Sequence, residues 1–224
     1  DRWVCRLAKL VQELGFNVLL IDSNPDNIER ANRMGLPARR ANALAESVLD
    51  DLDLSGIGRV MIMIPNDEVS SLTALHFSEI FETQDIYQLA AQPDSRFGTE
   101  DKMPKHLRGR PLFGEHTSYV TFVEHFDRGD APKVFTLTPD FAFEDLEALY
   151  ESHIIPMFVL RQNGHLSIIS ERDQMNARAG ERLIALVDPE QQLDPSRMRH
   201  GEGLGVDIDE VTADVEELKE ELHA

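Results

Sequence analysis

The sequence predicts an α/β fold: a doubly wound parallel sheet, then a small α+β subdomain, then an acidic helical tail. Three observations carry this reading. Over the first ninety residues short apolar runs alternate with stretches of helical period, the turns between them span two to five residues, and the runs are apolar on both faces. Strands with that pattern are covered by helices on both sides, and such short connections favour a parallel sheet. The 224 residues suffice for one or two domains, and 13 Gly with 11 Pro exclude a collagenous or low-complexity chain.

Taken in order, Trp3, Leu7, Leu10, Val11 and Leu14 recur at spacings of three and four, one helical face that Gly15 ends. Asn17–Asp22 is a buried-type strand. Ser23-Asn24-Pro25-Asp26 then supplies a cap and a first-turn proline for a second helix, which Gly35 stops. Pro37–Ala41 reads as a strand, Ala45–Leu52 as a helix and Arg59–Ile64 as a strand. Pro65-Asn66-Asp67 leads into a helix from Glu68 to about Phe81, and Ile86–Ala90 closes the series. The chain enters on a helix and begins at Asp1, so it reads as a piece of a longer one, with upstream residues expected to supply the first strand of the sheet and a glycine loop.

Four segments are expected: 1–90 as the parallel-sheet domain, 91–132 as a linker or extension, 133–188 as the α+β subdomain and 189–224 as the tail. Gln92–Pro111 is rich in charge, Pro and Gly and reads as a loop, with Thr117–Phe126 as a helix. In the subdomain, Lys133–Thr138 is a strand and Phe143–Tyr150 a helix. Ile154–Leu160 and His165–Ser170 form a hairpin around Asn163-Gly164, and Arg182–Val187 is the last strand. In the tail Ile208, Val211, Val215, Leu218 and Leu222 recur at 3, 4, 3, 4, a two-heptad seam. That helix either meets a partner or docks on its own subdomain.

The charge balance is 22 basic against 41 acidic residues, net −19, which disfavours nucleic acid as a partner. Residues 201–224 hold nine Asp/Glu and one Lys, so about a tenth of the chain carries −8 of that total. Cys5 is the single cysteine and allows neither an intrachain disulfide nor a multi-cysteine metal site. No run of eighteen apolar residues occurs.

Ligands of open α/β sheets lie beyond the carboxyl ends of the strands. Here those ends are Asp22-Ser23-Asn24, Asn42-Ala43 and Pro65-Asn66-Asp67. An acid closing an apolar strand can accept both hydroxyls of an adenosine ribose, and it disfavours a 2′-phosphate, which points to NAD or an AMP-type ligand rather than NADP. Asp22 holds that position, although a plain turn or cap role fits it as well. The glycine fingerprint lies about 20 residues before such an acid, which places it at or before residue 2. Asp1-Arg2-Trp3 would then be the far end of a phosphate loop, with helix amides and Arg2 facing the phosphate.

No catalytic set stands out. Tyr119 and Tyr150 lack a Lys four residues on, no nucleophile elbow, His-Glu-x-x-His helix or complete P-loop occurs, and the eight histidines are scattered. Catalytic and metal-ligating residues are therefore expected to be absent.

The stretches Arg2–Ala8 and Gly15–Asn24, with Asn42-Ala43 and Pro65–Glu68, resemble the RCK or KTN (TrkA-N type) nucleotide-binding domains that regulate potassium conductance and transport. More narrowly they are similar to the cytosolic C-terminal part of bacterial sodium(potassium)/proton antiporters. The resemblance covers about residues 1–90. It extends more weakly over 154–187, which look like the small ligand-binding subdomain that often follows. It implies a Rossmann-like fold in which Asp22 holds the ribose and Asn42-Ala43 stands where an acid–small pair contacts the base. Asn66-Asp67-Glu68-Val69-Ser70 departs from the family's Asp-Asp-Glu-x-Asn, and Asn42 from its acid.

The resemblance further implies no enzymatic activity. It implies a homodimer, AMP, ATP or NAD(H) as ligand, and an antiporter membrane domain on the same polypeptide at the cytoplasmic side of the bacterial inner membrane, this fragment itself being soluble. An NAD-dependent oxidoreductase of the same fold is the alternative; it needs a proton donor beside the nicotinamide, and none is recognisable.

Overall fold

A helix that ends on a left-handed glycine opens the chain: α1 (Arg2–Glu13) is followed by Gly15 at φ +87°. A residue with a Cβ would be strained there. The computed structural model describes residues 1–92, 108–150, 153–170, 176–191 and 212–213. The chain divides into two units, Asp1–Leu112 with Ser118–Val123, and Phe113–Thr117 with Glu124–Ala224.

In the first unit α1 is followed by β1 (Leu20–Asp22), α2 (Pro25–Arg33), β2 (Ala38–Arg40), α3 (Val48–Asp51), β3 (Val60–Ile62), α4 (Asp67–Phe77) and β4 (Ile86–Gln88). Two of the later helices, α2 and α4, start where their caps dictate. The Asn24 side chain accepts from the Asp26 amide with Pro25 in the first turn, and the Asn66 side chain accepts from the Val69 amide at 2.9 Å. β1 and β2 pair in parallel, as do β3 and β4.

Adjacent residues of β1 show that helices cover both faces. Leu20 packs with Cys5, Ala8 and Ala31 of α1 and α2, whereas Ile21 packs with Ala74 and Phe77 of α4. That alternation is what a doubly wound sheet requires. The fold is α/β with parallel pairing, as the sequence predicts.

Two differences from the sequence reading concern this sheet. First, Arg110–Pro111, read as the end of a loop, form β5, which pairs in parallel with β4. Gly109 makes the approach possible: a Cβ there would lie 3.1 Å from the Ile86 carbonyl oxygen. Second, the parallel strands fall into two separate sheets, β1-β2 and β3-β4-β5. The neighbouring edges of β1 and β3 are not paired with each other, and apolar residues expected to be fully covered, such as Leu19, Leu20, Met61 and Met63, are only half-buried. The expected 93–107 part of the loop lies outside the described residues.

The helix α5 (Tyr119–Arg128) runs from the first unit into the second. The second unit then comprises β6 (Ala131–Thr136), α6 (Phe143–Tyr150), β7 (Ile155–Leu160), β8 (Leu166–Ile168), β9 (Arg182–Val187) and β10 (Thr212–Ala213), in an antiparallel sheet of order β10-β6-β9-β7-β8. Its core joins Leu146, Leu149 and Tyr150 of α6 to Phe135, Val159, Leu183 and Ala185. This is the α+β subdomain the sequence predicts.

The tail differs. Thr212 and Ala213, midway along the expected helical seam, are extended and pair with Phe135 and Val134. The edge of β6 offers backbone donors and acceptors that an extended segment can meet, and this pairing outweighs a short two-heptad pattern. The flanking seam residues Ile208, Val211, Val215, Leu218 and Leu222 lie outside the described residues.

Candidate functional site

One space of about 590 Å³ runs along β1 and β3, from Asn17 and Arg59 to Asn24 and Pro65, and reaches the turn after β2 at Ala41–Leu44. Its wall is apolar below, with Leu20, Ile62 and Phe77, and polar at the rim, with Asp22, Asn24 and Asn42. Asp22 ends β1, and both of its carboxylate oxygens are oriented. Oδ1 accepts from the Asn24 amide at 2.8 Å, and Oδ2 accepts from Asn27 Nδ2 at 2.7 Å. A carboxylate offers about four lone-pair sites, so two remain for incoming hydroxyls.

Asn27 was not among the residues the sequence singled out. The signal was available, since it follows a strand-ending acid by five residues and lies in the first turn and a half of the next helix. The loop carrying Ser23 is held by Arg40, whose Nε donates to the Ser23 carbonyl at 3.3 Å. At the end of β2, Asn42 Oδ1 accepts from the Leu44 amide at 3.1 Å while Ala43 packs toward Ile62 and Phe77. With its oxygen engaged in that turn, the Asn42 side chain has its NH₂ as the group that can donate to a ligand.

The structure brings together Asp22, Ser23, Asn24, Asn42, Ala43 and Pro65 around this cavity, with Asp1 also in its lining. Asn66 and Asp67 are not in its lining. Asn66 caps α4, and Asp67 Oδ2 accepts from the Gln92 amide at 3.0 Å. Trp3 is turned into the interior, 5% exposed, with its ring stacked on Phe122 at 4.9 Å and edge-on to Tyr119. Arg2 lines a different groove, with Arg6, Arg30 and Arg33.

Other reactive groups have structural roles. The Cys5 thiol is buried in the α1–α2 packing and burial pushes its pKa up, so it stays protonated. In the second unit Asp130 is buried against Arg128, which donates to both carboxylate oxygens at 3.1 Å, and against the His125 ring. Burial alone would raise its pKa, but the hydrogen bonds from Arg128 and His125 outweigh it and hold the carboxyl below its ordinary range. Among the described residues no group of three His, Cys, Asp or Glu could hold a metal ion, and no helix is long and apolar enough to cross a membrane.

A parallel sheet wound on both faces, with a polar rim at its carboxyl ends, defines an α/β domain of the nucleotide-binding class. Residues 2–103 match the family model of the TrkA-N domain, and this part of the chain is a TrkA-N-type domain. Among solved structures the chain is similar to the NAD(P)-binding domain of an exopolyphosphatase-related protein from Archaeoglobus fulgidus. The identity is 22% and the TM-score 0.38, over 43% of this chain and 71% of that one. No curated protein matches the chain.

Proposed function

We propose that the first unit is a regulatory module that binds AMP, ATP or NAD(H) at the rim formed by Asp22, Asn24 and Asn42. The observation that carries this reading is Asp22, a strand-ending carboxylate oriented through both oxygens, with Asn24 and Asn42 lining the same space. The ribose hydroxyls take its two remaining acceptor sites, and the Asn42 NH₂ donates toward the base. The TrkA-N match over residues 2–103 supports the reading independently of the geometry.

The ligand's phosphates call for a glycine loop and a strand to carry it, upstream of Asp1 in this reading. The gap between β1 and β3 suits that strand. Both facing edges are unpaired with each other, the walls between them are largely apolar, and Asp1, the residue before α1, lines the same space.

In the resulting scheme the module is non-catalytic and works as a homodimer. It passes its ligand state to a monovalent cation/proton antiporter domain on the same polypeptide, at the cytoplasmic side of the bacterial inner membrane. A ligand that favours one of two domain arrangements by about 1–3 kcal/mol suffices for such coupling.

The test is a thermal-shift titration with AMP, ATP, NAD and NADH on protein carrying the residues upstream of Asp1. Ligand at a hundredfold its Kd is expected to add about 2.7 kcal/mol, a shift of several degrees. A melting point unmoved by all four nucleotides would remove the sensor reading.

A further inference from the structure

Four arginines meet in one groove of a chain whose net charge is −19: Arg2 and Arg6 from α1, Arg30 and Arg33 from α2, around a space of about 540 Å³ that Met34 also lines. None of these residues lines the cavity at Asp22.

Local helix energetics account for only half of the cluster. Arg30 and Arg33 lie in the last turn of α2, where cations offset the helix dipole. Arg2 lies in the first turn of α1, which has no acidic residue, and a cation is unfavourable there. No described residue gives Arg2 or Arg6 a hydrogen bond or ion pair. Arg33 has only an exposed pair with Glu29 at 3.8 Å, and Arg30 only a long 3.5 Å contact to Asn27 Oδ1. Exposed pairs of this kind contribute little and exchange readily for a better acceptor.

Guanidinium groups stay charged and present paired N–H donors that match phosphate oxygens bidentately. We propose that this groove is a binding site for a compact, multiply charged phosphate such as pyrophosphate, separate from the rim at Asp22. The size fits a small anion rather than a folded partner. The overall charge also argues against an extended polyanion or an anionic bilayer, because the rest of the molecule repels any surface larger than the groove.

The experiment is a calorimetric titration of pyrophosphate at low salt into three proteins: the unaltered chain, Arg6→Glu with Arg33→Glu, and Asp22→Arg. The expected result is one saturable site that weakens at least tenfold in the double variant and is unchanged in Asp22→Arg. Arg6→Gln with Arg33→Gln, checked by circular-dichroism melting, repeats the comparison should the charge reversal impair folding.

Absence of saturable binding, or equal affinity in the double variants, overturns the proposal. Loss of binding in Asp22→Arg alone assigns the anion to the rim and overturns it as well. Sedimentation with phosphatidylglycerol vesicles, in a chain that does not bind pyrophosphate, would mark the groove as a membrane contact instead.

Discussion

Asn27 supplies the side-chain hydrogen bond that orients Asp22. Its Nδ2 donates to Oδ2 at 2.7 Å and fixes the plane of the carboxylate. Asn27→Ala is expected to cost about 1 kcal/mol of stability, the usual net worth of one such bond. It should also weaken nucleotide binding severalfold by letting Asp22 rotate; equal affinity in a titration would show that Asp22 needs no positioning. Asp130 makes stability depend on pH. Its folded-state pKa lies below the unfolded value of about 3.9. The carboxylate therefore contributes stability above that value, and the contribution is lost as the pH falls through the folded-state pKa. Urea midpoints measured from pH 7 downward should show a steeper acid limb in the unaltered chain than in Asp130→Asn.

Among the elements, helix starts were the most legible in the sequence, because a cap is a local device. Asn24-Pro25 and Asn66 begin α2 and α4 through side-chain bonds to amides two or three residues on. The same bonds separate a structural from a ligand-binding role for Asn66, which is taken up by the cap. Asn66→Ala is expected to destabilise the protein by about 1 kcal/mol, and Asn66→Asp to restore most of it. Neither change should alter nucleotide affinity in a binding titration; an affinity that follows Asn66 while stability does not would return it to the site. Strands were legible in type but shortened in extent, and β5 was not legible at all. Arg110-Pro111 has no strand pattern, and its pairing rests on the close backbone approach that Gly109 allows. The seam at Ile208–Leu222 failed at Thr212-Ala213 for the complementary reason. An unpaired neighbouring edge is a tertiary fact that periodicity does not carry.

For the whole molecule, the alternation of apolar runs with helical stretches was enough to predict a doubly wound unit followed by an antiparallel module, and both are present. The rim was legible through Asp22, Ser23, Asn24, Asn42, Ala43 and Pro65, because strand ends follow directly from the strands. Trp3 and Arg2 were harder to place. Neighbours in a helix point in directions about 100° apart, so of two adjacent residues one entered the core and the other joined the arginine groove. The central claim is that a nucleotide binds through the carboxylate of Asp22. Calorimetric titration of AMP and NADH into the unaltered chain and into Asp22→Arg, both carrying the upstream residues, tests it most directly. One saturable site per chain is expected for at least one of the two ligands, weakened tenfold or more by the substitution. Saturable binding with the same affinity in both proteins would contradict it.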